Sequence, residues 1–309
     1  MTVDRPQARE FDLIVYGATG FVGKLLADYL ARYAPDGTRI ALAGRSQSKL
    51  KELSASLPGP GADWPLIVAD AADEAALDEL VLRTTAVVTT VGPYLKYGLG
   101  LVSACAKGGT HYADLTGETL FVRQIIDDYD ELARSTGARI VNSCGFDSIP
   151  SDLGVLLAYE HARDRGLGHL TDTTLVVVAM KGGFSGGTID SMRTPVDVVK
   201  ADPQLRTVIN DKFALSPDRS NEPTRDQPRD TAVVARSTEF GGWIGPFVMA
   251  DYNTKIVRRS NALQNWAYGP EFTYREVSSF GSGPLAPLMA LGMGAGMRAA
   301  WVGMGIRPM

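Results

Sequence analysis

Between an apolar run, Phe11–Tyr16, and an amphipathic run that opens at Phe21, the chain carries three glycines spaced three apart, in Tyr16-Gly-Ala-Thr-Gly-Phe-Val-Gly23. A strand that passes through a glycine turn straight into a helix leaves the first backbone N–H groups of that helix without intrahelical partners. Together with the helix dipole they attract an anion. Gly17 allows the tight turn, Gly20 the close approach of a phosphate, and Gly23 the close packing of helix on strand. The loop residues Gly17, Ala18, Thr19, Gly20, Phe21, Val22 and Gly23 are therefore predicted to hold a dinucleotide pyrophosphate.

The surrounding pattern supports that context. From Phe11 to about Asn142, apolar runs of strand length (Phe11–Tyr16, Arg39–Ala43, Leu66–Ala69, Ala86–Val91, Thr110–Ala113, Arg139–Asn142) alternate with runs carrying leucine, alanine and valine at helical spacing. The helical runs are Phe21–Tyr33, Gln47–Ser56, Asp73–Leu82, Leu99–Ala106 and Leu120–Ser135. This alternation predicts an α/β fold, a Rossmann-type doubly wound parallel sheet. After Pro150 a helix over Ser151–Arg165 and a β-branched strand over Thr173–Met180 give way to glycine-rich and polar segments. The chain thus divides into a nucleotide-binding domain at 1–150 and an α+β substrate domain at 151–309, in which Ala214–Arg229 reads as a mobile loop or flap.

The second strand ends in Gly44-Arg45-Ser46, where a site for NAD would carry an acid for the ribose 2′-hydroxyl. Arg45 can pair with a 2′-phosphate and Ser46 can donate to it, which predicts NADP(H). Asp70, after the third strand, either faces the adenine edge or caps the helix opening near Asp73. The fourth strand runs into Val91-Gly92-Pro93-Tyr94, predicted to lie at the nicotinamide end; Tyr94 has either a catalytic or a packing role.

A net charge of −4 and the absence of any basic run leave nothing to neutralise a nucleic acid backbone. Cys105 and Cys144 are too few for a disulfide framework, and with His111, His161 and His169 they show no metal-ligand spacing. The polar segment Met1–Glu10 lacks the apolar stretch of a secretory signal, so a cytoplasmic location is expected. Val277–Met297 is uncharged and 285–309 is rich in Leu, Met, Ala and Gly. That end reads as a helix docked on its own core, with a peripheral membrane or lipid contact as the alternative; Pro284, Pro287 and the glycines argue against a spanning helix.

Tyr16-Gly-Ala-Thr-Gly-Phe-Val-Gly23, Ala43-Gly-Arg-Ser46, Val91-Gly-Pro-Tyr94, His111-Tyr-Ala-Asp-Leu-Thr-Gly-Glu118 and Cys144-Gly-Phe-Asp-Ser-Ile-Pro-Ser-Asp152 together resemble the saccharopine dehydrogenase-like oxidoreductases. Within them the chain looks closest to the mycobacterial trans-acting enoyl reductases. The resemblance implies reduction of a double bond in an acyl chain held on a polyketide synthase carrier domain, in making cell-envelope lipids such as phthiocerol and phenolphthiocerol dimycocerosates. Members of this type are longer than 309 residues, which implies a C-terminally incomplete substrate domain.

Enoyl reduction needs a donor for the enolate oxygen and a proton for the α-carbon. The catalytic candidates are Tyr94, Tyr112 and Asp147, with Asp114 and Glu118 as further acids or orienting groups; Asp147 and Ser148 also suit a helix cap near Ser151. No tyrosine is followed four positions later by lysine, which disfavours ketone reduction of the short-chain dehydrogenase kind. Two alternatives remain open. One is a saccharopine-type imine dehydrogenase, for which Lys181, Arg193 and Arg225 are the loosely suggestive carboxylate clamps; the other is a non-catalytic NADP-binding scaffold.

Overall fold

The computed structural model describes residues 9–180, 197–198, 200–228 and 234–303, without the side chains of 300–303. Two compact units emerge: Met1–Thr116 with Gln124–Cys144, and Gly117–Arg123 with Gly145–Met309.

The first unit is an α/β Rossmann-type fold. Its strands are β1 (Phe11–Tyr16), β2 (Ile40–Gly44), β3 (Leu66–Val68), β4 (Thr84–Thr89), β5 (His111–Ala113) and β6 (Ile140–Val141). They form one sheet in the order β3-β2-β1-β4-β5-β6, and every pairing is parallel. Between them run α1 (Phe21–Tyr33), α2 (Gln47–Ser56), α3 (Glu74–Leu82), α4 (Tyr94–Tyr97), α5 (Leu99–Gly108) and α6 (Thr119–Thr136). Alternate residues of β1 face opposite sides of the sheet. Val15 joins Ile40, Leu42, Leu50, Leu53 and Trp64 in one buried cluster under α1 and α2. Burying a side chain of that size stabilises the fold by about 1.5–3 kcal/mol, so the continuous apolar strands hold this face together.

In this order the chain reverses direction between β1 and β4, so the loops after these strands diverge and open a crevice at their carboxyl ends, where ligands of such sheets bind. β4 stops at Thr89, short of the expected Val91, because the Val91 N–H turns back to Thr89 Oγ1 (3.2 Å) and leaves the ladder. Ser46 and Asp73 cap α2 and α3 by accepting from Lys49 N and Ala76 N, whereas α1, with Gly20 at its N-cap, has no side-chain cap.

The second unit is α+β. It contains α7 (Ile149–Asp164), β7 (Asp172–Val177), α8 (Leu205–Asn210), β8 (Ala235–Ser237), β9 (Gly242–Pro246), α9 (Ala250–Leu263), β10 (Thr273–Gly281) and α10 (Ala286–Gly303). The sheet order is β7-β10-β9-β8, with β7 parallel to β10 and the other pairs antiparallel. α7 begins two residues before the expected Ser151, since Pro150 fits the first turn of a helix. Val155, Val257, Tyr268, Phe272 and Tyr274 make its buried cluster.

The stretch 214–228, expected to be a loose flap, is instead anchored. Ala214, Leu215 and Ser216 are buried, Arg259 Nη1 donates to Leu215 O (2.9 Å), and the Gln227 amide donates to Phe272 O (2.9 Å) while accepting from Arg258 and Tyr274 N. Polar composition misleads here because the polar side chains bond inward; Arg229 lies outside the described residues. α10 buries Ala286 and Ala290 and exposes Leu288, Met289 and Leu291. Among the described residues no helix is long and apolar enough to cross a membrane; 304–309 of the segment expected to meet lipid lie outside them.

Candidate functional site

The glycine loop is pinned from both flanking strands. The N–H groups of Gly17 and Ala18 donate to Ala43 O at the end of β2 (2.9 and 3.1 Å), Thr90 N donates to Tyr16 O (3.0 Å), and Thr90 Oγ1 donates to Gly17 O (3.1 Å). Gly17 has φ of 81°, and a Cβ there would lie 2.6 Å from Val91 Cγ2. At Gly23 a Cβ would overlap Gly17 O and sit 2.8 Å from Ala18 Cα, so backbone presses on backbone. Gly20 differs: its φ is −71° and a Cβ would meet only Gly17 O, at 3.3 Å. Its missing side chain leaves the uncapped end of α1 open on the outside, with Phe21 and Val22 exposed beside it.

This cradle passes a simple test of fit for a dinucleotide. The first-turn N–H groups of α1 lack a capping side chain, and no carboxylate follows β2. Arg45 is exposed there and makes no ion pair among the described residues. Ser46 already accepts from Lys49 N (3.4 Å), yet its hydroxyl proton remains able to donate. Asp70 is exposed and accepts from Ala72 N (3.0 Å), shaping the turn after β3, while Asp73 rather than Asp70 caps α3. Asp70 also lies near Tyr16, a residue sequence reasoning passed over; burial first, and the Asp70 charge second, push the Tyr16 phenol up to about 12. Thr90 was passed over as well, since a threonine after a strand carries no signal until its hydroxyl is seen on Gly17 O.

At the carboxyl ends of β4, β5 and β6 a second polar group forms around Asp114. Val91, Gly92 and Pro93 lead into α4, with the Gly92–Pro93 bond cis. Tyr94 is buried; its hydroxyl donates to Thr89 O (3.3 Å) and accepts from Leu115 N (3.4 Å). Asp114 is 1% exposed, and its carboxylate accepts four bonds: Tyr112 Oη (3.0 Å) and Asn142 Nδ2 (2.7 Å) on one oxygen, Thr116 N (3.0 Å) and Ser143 N (2.8 Å) on the other. Its backbone oxygen accepts from Cys144 N (2.7 Å). Burial outweighs these donors and holds the Asp114 carboxyl above its usual range. Burial, then the Asp114 charge, raises the Tyr112 phenol well above its own, so Tyr112 stays neutral and donates. Ser143 sits at φ of 63°, a strained position for a residue other than glycine, fastened by that bond to Asp114. Cys144 is exposed, and partial burial followed by the Asp114 charge raises its thiol, which leaves it a poor nucleophile.

Asp147 and Glu118 belong to the second unit. Asp147 is exposed, and partial desolvation by the surrounding chain raises its carboxyl. Glu118 is buried. Of the clamps considered for an imine substrate, Lys181 and Arg193 lie outside the described residues, and Arg225 is engaged by Asp172 at 3.1 Å. Among the described residues no group of His, Cys, Asp and Glu is arranged to hold a metal ion.

Residues 13–141 match the family described as Saccharopine dehydrogenase NADP binding domain, so the first unit carries an NADP-binding domain of an oxidoreductase. Over 303 residues the chain is 50% identical to a Mycobacterium tuberculosis (strain H37Rv) protein bearing the name "Putative trans-acting enoyl reductase", covering 97% of this chain and 72% of the relative. A Mycobacterium bovis (strain BCG) protein named trans-acting enoyl reductase is 47% identical over 305 residues, with the same coverages of 97% and 72%. Among solved structures, a saccharopine dehydrogenase (L-Glu forming) from Saccharomyces cerevisiae overlays with a TM-score of 0.44 at 19% identity, covering 54% of this chain and 34% of that one.

Proposed function

The chain belongs to the family of trans-acting enoyl reductases, and from that premise we propose that it reduces a carbon–carbon double bond of an unsaturated acyl chain at the expense of NADPH. The acyl chain is presented in trans on a polyketide synthase carrier domain, and the products are cell-envelope lipids of the phthiocerol and phenolphthiocerol dimycocerosate kind. The observation that carries the reading is near-half identity to relatives of that name along almost the whole chain, joined to a glycine cradle whose steric demands suit a dinucleotide.

In this reading the first unit holds the cofactor and the second the substrate. NADPH, when bound, supplies the hydride. The N–H groups at the start of α1 bind the pyrophosphate, and Gly17, Ala18, Thr19, Gly20, Phe21, Val22 and Gly23 shape its bed. Arg45 and Ser46 take the 2′-phosphate, with Asp70 at the adenine side. Val91, Gly92, Pro93 and Tyr94 line the reactive end. The Tyr94 hydroxyl, turning its proton from Thr89 O (3.3 Å), is the donor to the developing enolate oxygen. Tyr112 is fully committed and orients Asp114. Asp147, exposed and shifted toward its acid form, delivers the proton to the α-carbon.

The direct test incubates the protein with NADPH and an unsaturated acyl chain on its carrier and weighs the acyl product. A gain of two hydrogens is expected; no gain while NADPH still binds would overturn the reading. Cofactor preference offers a second test. Arg45→Asp removes a charge-assisted contact worth about 1.5–3 kcal/mol and puts a carboxylate against the phosphate. NADPH affinity should fall about 10- to 100-fold, with preference moving toward NADH. An unaltered ratio in a fluorescence titration would show that another residue reads the phosphate.

A further inference from the structure

Phe146 is 90% exposed, the highest value among the exposed large hydrophobic residues of the described chain. An exposed phenylalanine on a loose loop would call for no explanation. This one stands on a clamped loop. On its C-terminal side, Asp147 O accepts from Asn253 Nδ2 (2.8 Å) and Ser148 Oγ donates to Asn253 Oδ1 (2.9 Å). The turn itself closes where the N–H groups of Ser148 and Ile149 donate to Gly145 O (3.1 and 3.0 Å).

Asn253, on α9, is 0% exposed and is itself locked, since Nδ2 also reaches Ser151 Oγ (3.1 Å) and Glu276 Oε2 (3.1 Å), and the other Glu276 oxygen accepts from Tyr274 Oη (2.8 Å). Burying an amide and a carboxylate is costly unless every polar atom is bonded, and a fully bonded network of this kind rigidifies what it holds. Here the rigid backbone carries an aromatic ring out into solvent, beside the exposed Asp147.

We propose that Phe146 is a contact for the hydrocarbon chain of the acyl substrate and that Asn253 is the positioning residue that holds it. This rests on the enoyl reductase reading for the kind of ligand. Phe146 directly precedes Asp147, the exposed acid to which the same reading gives the α-carbon proton, so the ring is carried next in the chain to a group that meets the substrate. One face of an exposed ring suits one extended apolar chain, and covering part of the phenyl group in this way contributes about tenfold in affinity.

The experiment measures binding and turnover separately with the full chain. Binding is read with saturated dodecanoyl-CoA, which cannot be reduced, and turnover with dodecenoyl-CoA and crotonyl-CoA in the presence of NADPH. Phe146→Ala should weaken dodecanoyl-CoA about tenfold and raise KM about tenfold for the twelve-carbon substrate but less than threefold for the four-carbon one. Phe146→Leu should recover most of the loss, and Ser148→Ala, which loosens the clamp, should reproduce part of it. An NADPH titration of each variant checks that the protein remains folded. If dodecanoyl-CoA binds, Phe146→Ala weakens it and nothing is reduced, the contact stands and the reductase reading falls. Reduction of both substrates, with Phe146→Ala affecting them equally or not at all, would sink the contact and leave the reductase reading intact. Failure of the wild-type protein to bind dodecanoyl-CoA would overturn the proposal outright.

Discussion

Gly23→Ala should abolish NADPH binding and lower the melting temperature in the absence of cofactor. A methyl group at this position would occupy the same space as Gly17 O and press on Ala18 Cα at 2.8 Å, both backbone atoms with no rotamer to escape through. The loop cannot yield alone, because Gly17 and Ala18 are bonded to Ala43 O and Gly17 O is held by Thr90 Oγ1. Either α1 shifts away from the end of β1 or the loop lifts. Both displace the N–H groups that face the phosphates, and forced overpacking of this kind costs about 1–3 kcal/mol. An affinity loss of at least about 100-fold is expected, since several charge-assisted bonds depend on one geometry. Gly20→Ala separates the two effects. Its φ of −71° accepts a side chain and its nearest neighbour is 3.3 Å away, so its melting temperature should move little while NADPH binding weakens through the lost approach. If Gly23→Ala melts and binds as the wild type does, the cradle has been misread.

The first unit was legible because its information is local. β1, α1 and α2 stand at the residues that apolar periodicity marks, and the doubly wound parallel sheet follows from the alternation of strand and helix runs. The crevice at the end of β1 and β4 could be anticipated for the same reason. Other features depend on partners far along the chain and leave no local trace. Thr90 looks like any threonine until its hydroxyl meets Gly17, and Asn253 like any helix asparagine until four separate groups converge on it. The return of 117–123 to the second unit is of this kind, as the division after Arg123 falls inside the run Leu120–Ser135, whose pattern is one uninterrupted helix. The segment 214–228 misled in the opposite sense: its Pro, Asp, Arg and Asn content is that of a solvated loop, but Gln227 bonds to Phe272 O in the interior.

Asp114→Ala should cost about 3–5 kcal/mol of unfolding free energy, because several buried neutral donors lose their acceptor at about 1–3 kcal/mol each. The carboxylate takes four donors, and alanine would leave Tyr112 Oη, Asn142 Nδ2, Thr116 N and Ser143 N facing a void. The left-handed backbone at Ser143 would also lose the bond that holds it there. Asp114→Asn should be milder, about 1–2 kcal/mol, because the network can partly rearrange. The amide oxygen keeps Thr116 N and Ser143 N, while the amide nitrogen turns to a Tyr112 hydroxyl able to accept and an Asn142 side chain able to flip its oxygen forward. The two variants also differ in pH dependence. Burial holds the Asp114 carboxyl above its ordinary value, so between that value and the raised one the folded protein keeps a proton the unfolded chain has released. More protons bound in the folded state means that stability falls as pH rises through this window and levels off above it. Asparagine cannot titrate, so this contribution to the slope should vanish in Asp114→Asn. Urea unfolding of the three proteins at several pH values reads both effects. A loss below about 1 kcal/mol in the alanine variant, or an unchanged slope in the asparagine variant, would show that Asp114 does not carry the junction of β5 and β6.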